Sequence, residues 1–430
     1  ALVVAGSDRR GAIFGVYTLW EQMGVSPWKW WADVVPARQA TLSVAQGTKV
    51  SDAPVVQYRG IFLNDEAPAL TNWAKEKYGG FNHRFYEKVF ELVLRLRGNY
   101  LWPAMWPPTA FYADDPENGR LAHEMGIIMG TSHHEPMMRA HDEWARFGKG
   151  AWDYSKNAKG LQEFWKQGLR NSHGQDRVIT LGMRGDGDEP MSEEDNVDLL
   201  QKIVRDQRAM IEQDTGKPAG EVPQVWALYK EVQGYYEKGM RVPDDVLLLW
   251  CDDNWANIRR LPTPEERARP GGAGVYYHFD YVGGPRSYKW LNVTPIPKIW
   301  EQMHLAWQYD AKRMWIVNVG DLKPMEVPIE FFLTYAWNPQ AWPAERLPEY
   351  LRLWATREFG AEHALEIAEL VEGYTRFNGR RKPEQLEPGT YSVLNYDEAG
   401  RIARDYAALA ERASKVAAKL RPEQRAAFFQ

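Results

Sequence analysis

Eight short apolar stretches run through the middle of this 430-residue chain, and acidic, aromatic, basic or amide side chains follow each within a few residues. Residues 56–63 precede Asn64-Asp65-Glu66, residues 100–101 precede Trp102 and Trp106, and residues 127–129 precede His133-His134. Residues 178–183 lead to Arg184, Asp186, Asp188 and Glu189, and residues 225–229 to Lys230-Glu231. Residues 246–250 run into Asp252-Asp253-Asn254, residues 275–277 into His278, Asp280 and Tyr281, and residues 314–317 into Asn318 and Asp321. Strand-length runs of this kind, each followed by a polar cluster, fit an α/β fold of the (β/α)8 barrel type, whose chemistry sits at the C-terminal ends of its strands.

Helix-period segments separate the runs, at residues 83–97, 116–126, 156–172, 192–214, 233–240, 295–311 and 325–336. In the first, Phe85, Val89, Leu92, Val93 and Leu96 share one face, with Glu87, Lys88, Glu91 and Arg95 opposite, and Gly98-Asn99 ends it. The barrel is expected over 54–340. Residues 1–40 read as the end of an α/β domain, with a strand at 1–5 and a helix from Gly11 to Gly24. The turn at 5–11 lacks G-x-G-x-x-G spacing and is not a dinucleotide fingerprint. From residue 343 the composition turns to Ala, Leu, Glu and Arg, and 343–430 reads as an incomplete helical domain. The Pro-, Gly- and Arg-rich connection at 262–274 is a candidate lid.

A net charge of −5 favours neither nucleic acid nor an anionic membrane, and no apolar run approaches the roughly 20 residues that span a bilayer. The single Cys251 excludes an internal disulfide and a Cys-based metal site. Twenty Trp and 21 Tyr are abundant; a large barrel core uses many of them in packing, and an excess of Trp in loops would also suit stacking on sugar rings.

The stretch Gly182-Met183-Arg184-Gly185-Asp186-Gly187-Asp188-Glu189 admits three readings: a Ca²⁺ or Mg²⁺ site, a tight turn with solvated acids, or catalytic carboxylates beside an Arg able to hold an anion. Glu231, at the end of an apolar strand, is expected to be partly desolvated, with the raised pKa of a general acid; an ion pair with Lys230 or Arg184 is the alternative. Asp252 or Asp253 could cap the next turn or touch substrate. Tyr276, His278 and Asp280 alternate onto one strand face. His133 and His134, if extended, cannot both point inward, which argues against zinc. No G-x-S-x-G elbow or P-loop is present. A barrel mouth holding several carboxylates, amides and aromatics is the inventory of a glycoside hydrolase, where two carboxyls flank the scissile bond.

Six segments carry a further signal: 60–66, 101–106, 182–189, 250–255, 276–281 and 315–324 resemble glycoside hydrolase family 115. The resemblance implies a xylan α-1,2-glucuronidase acting on glucuronoxylan or aldouronic oligosaccharides with inversion. Such enzymes are larger, often dimeric proteins, expected to be secreted or periplasmic; residues 7–36 look like the end of their first domain. Matched residue by residue, Asp188 and Glu231 are the catalytic candidates, with Asp65 in reserve. Glu231 would protonate the departing xylose oxygen and Asp188 would activate water. Arg184, Tyr276, His278 and Tyr281 suit the uronate carboxylate; Asn64, Asn254 and Asn318 suit hydroxyls. Trp102 or Trp106 suits stacking, and His133 and Asp253 complete the substrate-binding candidates. No metal or other cofactor is expected.

Overall fold

The computed structural model describes residues 2–37, 39–65, 67–191, 196–284 and 286–430. Glu66 and residues 192–195, which include the start of the helix expected at 192–214, lie outside the described residues. The chain divides into two compact units: residues 55–278 with 302–321, and residues 1–54, 279–301 and 322–430.

The first unit holds eight parallel strands: β1 (Tyr58–Phe62), β2 (Tyr100–Trp102), β3 (Ile128–Met129), β4 (Ile179–Thr180), β5 (Gln224–Leu228), β6 (Leu247–Cys251), β7 (Ala273–His278) and β8 (Met314–Asn318). They pair in the order β3-β2-β1-β8-β7-β6-β5-β4. The two ends of that order meet through a parallel bridge between Met129 and Arg177, where Met129 N–H donates to Asp176 O at 3.0 Å and Val178 N–H to Met129 O at 2.9 Å. The ring is a (β/α)8 barrel. Alternate residues point inward: Tyr100 and Trp102, Val225 and Ala227, Leu247, Leu249 and Cys251, and Met314 and Ile316 fill one core with Phe62 and Tyr276. The outward residues are buried too, among them Ile61, Leu248, Trp250, Val275, Trp315 and Val317, which is why the strands read as unbroken apolar runs. Gly60 is obligatory: a Cβ there would lie 1.9 Å from the Tyr100 carbonyl oxygen on β2.

The helix expected at 83–97 spans His83–Arg95, with the Asn82 side chain accepting from the Arg84 and Phe85 N–H groups and Gly98 N–H closing its end on Val93 O. The segment 262–274 is not a lid. Thr263 and Glu266 form a capping box at the helix Pro264–Arg267, and the Tyr236 hydroxyl donates to Glu266 at 2.8 Å. Gly271 N–H then bonds Asp244 O, and Arg269 pairs with Asp244. That contact lies at the N-terminal ends of β6 and β7, the end of the barrel away from its polar strand tips, so the segment is the crossover between the two strands.

The second unit is helical, with helices Arg9–Gln22, Glu326–Trp337, Leu347–Phe359, Ala364–Arg380, Glu398–Lys419 and Pro422–Phe429. Arg357 organises it. Its guanidinium meets Glu330 at 2.7 Å and Glu21 at 2.9 Å, and the Trp28 indole N–H donates to Glu330 at 2.7 Å. Residues 2–5, read as a strand from sequence, form none here, because a strand exists only through pairing and they pair with no described residue. No helix among the described residues is long and apolar enough to cross a membrane.

Candidate active site at the barrel mouth

The polar clusters converge at the C-terminal ends of the strands, and Arg184 is their centre. Gly182, at φ 96°, turns the chain out of β4. The buried Gln207 amide fixes that turn, accepting from Gly182 N–H and donating to Gly182 O, both at 2.8 Å. The Trp152 indole N–H binds the Arg184 carbonyl at 2.9 Å. Arg184 itself is buried. Its Nε and one terminal nitrogen hold the two oxygens of Glu231 at 2.8 Å each, a two-pronged pairing. Its other terminal nitrogen donates to the carboxylate and the carbonyl of Asp188. Two carboxylates that are 43 residues apart in sequence thus share one guanidinium.

This pairing revises two expectations. Both oxygens of Glu231 are held by the Arg184 guanidinium, so it is not the unpaired acid expected from its place after an apolar strand; the ion-pair alternative is the one found. Arg184, committed to two carboxylates, does not stand free as an anchor for a uronate.

Asp188 also meets His133 Nε2 at 2.9 Å and His134 Nδ1 at 3.5 Å. The extended-strand argument against both histidines fails because residues 131–135 form a turn, with Glu135 N–H bonding Ser132 O and the Thr131 hydroxyl bonding Glu135 O. Ligand atoms of His133, His134 and Asp188 all lie within 4.8 Å of one another, a grouping that could take a metal ion. Burial foremost holds both imidazoles well below their usual pKa, so they are neutral donors. Against a cation stand Arg184, already on the Asp188 carboxylate, and the nearby Lys230. The Asp186/Asp188/Glu189 metal cluster does not assemble: Asp186 turns to His141 at 2.7 Å.

His133 leans on the Tyr229 ring, 4.1 Å between centroids, and Tyr229 stacks on His278 at 6.0 Å. His278 Nδ1 lies 2.6 Å from the buried Asp252, which also accepts from His278 N–H at 2.8 Å and Asn254 N–H at 3.0 Å. Tyr276 joins the barrel core, its hydroxyl accepting from Asn318 Nδ2 at 3.3 Å. Asn64 accepts from the Trp106 indole at 2.8 Å. Trp102 is no stacking platform: it is fully buried, bonded to the Tyr100 hydroxyl and packed on Phe62 and Tyr276. Asp65 accepts from the Thr71 N–H and hydroxyl and so holds the start of the helix Ala69–Tyr78. Asp253 caps its own turn, accepting from the N–H groups of Trp255 and Asn257. Asn254 is half-buried at φ 64°. Asp280 and Tyr281 follow the end of β7 and belong to the helical unit, where Tyr281 pairs with Tyr288; the alternation from Tyr276 stops at His278.

Sequence reading passed over Glu135. Its signal was adjacency to the histidine pair. It is buried, accepting from His141 N–H at 2.8 Å and the Ser132 hydroxyl at 3.0 Å, and burial pushes its carboxyl up to about 8. The folded protein therefore retains a proton that the unfolded chain releases near 4.5. The group's contribution is intact below pH 4.5 and is lost as pH rises from there through 8, by up to about 5 kcal/mol. Glu135→Gln keeps the neutral shape, so its melting temperature is expected to fall less between pH 5 and pH 8 than the parent's. Parallel profiles in thermal melts would remove this account.

No curated protein matches this chain. A solved structure described as a family GH115 4-O-methyl-α-glucuronidase, BtGH115A, with specificity for decorated arabinogalactans, is 37% identical, with a TM-score of 0.93 over 99% of this chain. The chain spans 59% of the length of that protein. A GH138 enzyme targeting pectin rhamnogalacturonan II, 14% identical with a TM-score of 0.55, shares the fold over 87% of this chain and 59% of its own. The model of glycosyl hydrolase family 115 matches residues 51–385, the whole barrel and the start of the helical region, and the chain belongs to that family.

Proposed function

We propose that the barrel mouth is the catalytic centre of an inverting glycoside hydrolase. It releases glucuronic acid, or its 4-O-methyl ether, α-1,2-linked to xylose in glucuronoxylan and aldouronic oligosaccharides. The observation that carries this reading is the convergence of Asp188 and Glu231 on one buried guanidinium at the ends of adjacent strands. Family membership supports glycosidic hydrolysis, and the 37%-identical relative supports an α-linked uronic acid as the sugar removed. That relative's specificity makes decorated arabinogalactan the rival polymer.

In this mechanism Asp188, oriented by His133, draws a proton from the attacking water. Glu231 leaves the Arg184 fork, takes up a proton and delivers it to the departing oxygen. Water oxygen bonds to the anomeric carbon as the bond to the departing oxygen breaks on the opposite face, one displacement that gives inversion.

The test is proton NMR of the first product from aldouronic oligosaccharides, glucuronoxylan and decorated arabinogalactan. The expected product is the β-anomer of the uronic acid. An α-anomer removes inversion, and release from arabinogalactan alone moves the substrate. Binding without release identifies a carbohydrate-binding barrel. Loss of release on adding EDTA would transfer the chemistry to a metal held by His133, His134 and Asp188.

A further inference from the structure

A uronate carboxylate needs a cation, and the cations at this mouth can be accounted for in turn. Arg184 is committed to Glu231 and Asp188. The imidazoles add no free cation: His133 and His134 are neutral and face Asp188, His278 is paired with Asp252, and His141 with Asp186. Arg259 is exposed and reaches the Lys230 carbonyl at 3.2 Å. Lys230 remains. Its ammonium stands 5.1 Å from the centre of the Tyr229 ring, the ring that also touches His133 and His278, and it has no hydrogen bond or ion pair among the described residues.

The backbone supplies an independent observation. Lys230 sits at φ 48°, ψ −119°, a conformation suited to glycine. Strain of this kind persists only where the surrounding structure holds it and concentrates at functional positions. Glycine would remove it, yet a long cationic side chain stands there, immediately before Glu231. Lys230 is exposed as a residue, within reach of an arriving ligand, and partial burial of its ammonium together with the charge of Arg184 lowers its pKa. Acidic neighbours that feel it are Glu231 and Glu189.

We propose that Lys230 recognises the carboxylate of the uronic-acid sugar and sets the preference for an acidic over a neutral sugar. This assignment rests on the uronate reading above. An ammonium is a compact charge with three donors, suited to a carboxylate arriving from solvent.

The experiment titrates the chain with glucuronate and with its uncharged amide, glucuronamide, by calorimetry. Lys230→Met, Lys230→Gly and Arg259→Met are compared with the parent. The parent should prefer glucuronate. Both Lys230 variants should lose about tenfold in glucuronate affinity, one decade in the dissociation constant, and less than about twofold in glucuronamide affinity. Lys230→Gly also relieves the strained backbone, so its melting temperature should equal or exceed the parent's, separating lost recognition from lost folding. Equal losses for both ligands, or an unchanged preference in both Lys230 variants, overturn the assignment. So does a preference abolished only by Arg259→Met. If the parent still releases uronic acid in any of those cases, the proposed reaction stands without Lys230; a parent that neither prefers glucuronate nor releases uronic acid overturns both.

Discussion

Asp188→Asn is expected to lower the initial rate of uronic-acid release by about 10²–10⁴-fold, the usual contribution of a positioned general base. The amide retains an acceptor for Arg184 and hydrogen bonds for the histidines, so the variant should fold, but it cannot take the proton of the attacking water. Glu231→Gln should suffer a similar loss on natural xylosyl substrates, where the departing oxygen needs a proton. The two should part on an aryl uronide whose leaving group is stable as an anion. There the acid is dispensable and the base is not, so Glu231→Gln should recover much of its rate and Asp188→Asn none. Parent-like rates in either variant would remove that residue from the chemistry, and the reverse recovery pattern would exchange their roles.

Arg184→Met is expected to be the most destabilising single change at the mouth. The guanidinium is almost wholly enclosed, at 3% side-chain exposure, and is shared by two acids that are themselves mostly covered, at 19% and 21%. Removing one partner of a buried pair typically costs about 3–5 kcal/mol, because the remaining charge is stranded. At roughly 2–4 °C per kcal/mol for a unit of this size, the melting temperature should fall by about 6–20 °C. Adding Glu231→Gln to Arg184→Met should recover part of that loss, since one stranded charge disappears. If Arg184→Met melts within a degree or two of the parent, the shared guanidinium is not an organising centre. If the double variant melts no higher than the single, stranded charge is not the cause.

The eight strands were legible because a strand buried on both faces must be apolar at consecutive positions, and turn or polar residues bound each run. Runs read at 225–229, 246–250 and 314–317 became Gln224–Leu228, Leu247–Cys251 and Met314–Asn318, shifts of about one residue. Alternation was a weaker guide. Trp102 follows a short apolar run and reads as a platform, but its parity with Tyr100 sends it into the barrel core. Tyr276 and His278 kept their shared face, whereas Asp280 left it because β7 ends at His278. The histidine pair misled because the sequence does not say where extension stops, and a turn brings both rings to Asp188.

The chain's own sequence determined the fold class and which residues stand at the strand ends, because apolar periodicity and its interruptions are local properties. Which charges pair was decided only in three dimensions. Arg184 and Glu231 are 47 residues apart, as are Arg59 and Trp106, and nothing in a one-dimensional string distinguishes the pair that meets from the pair that does not. Ionic interaction depends on distance and on exclusion of water, and both come into being when the barrel closes.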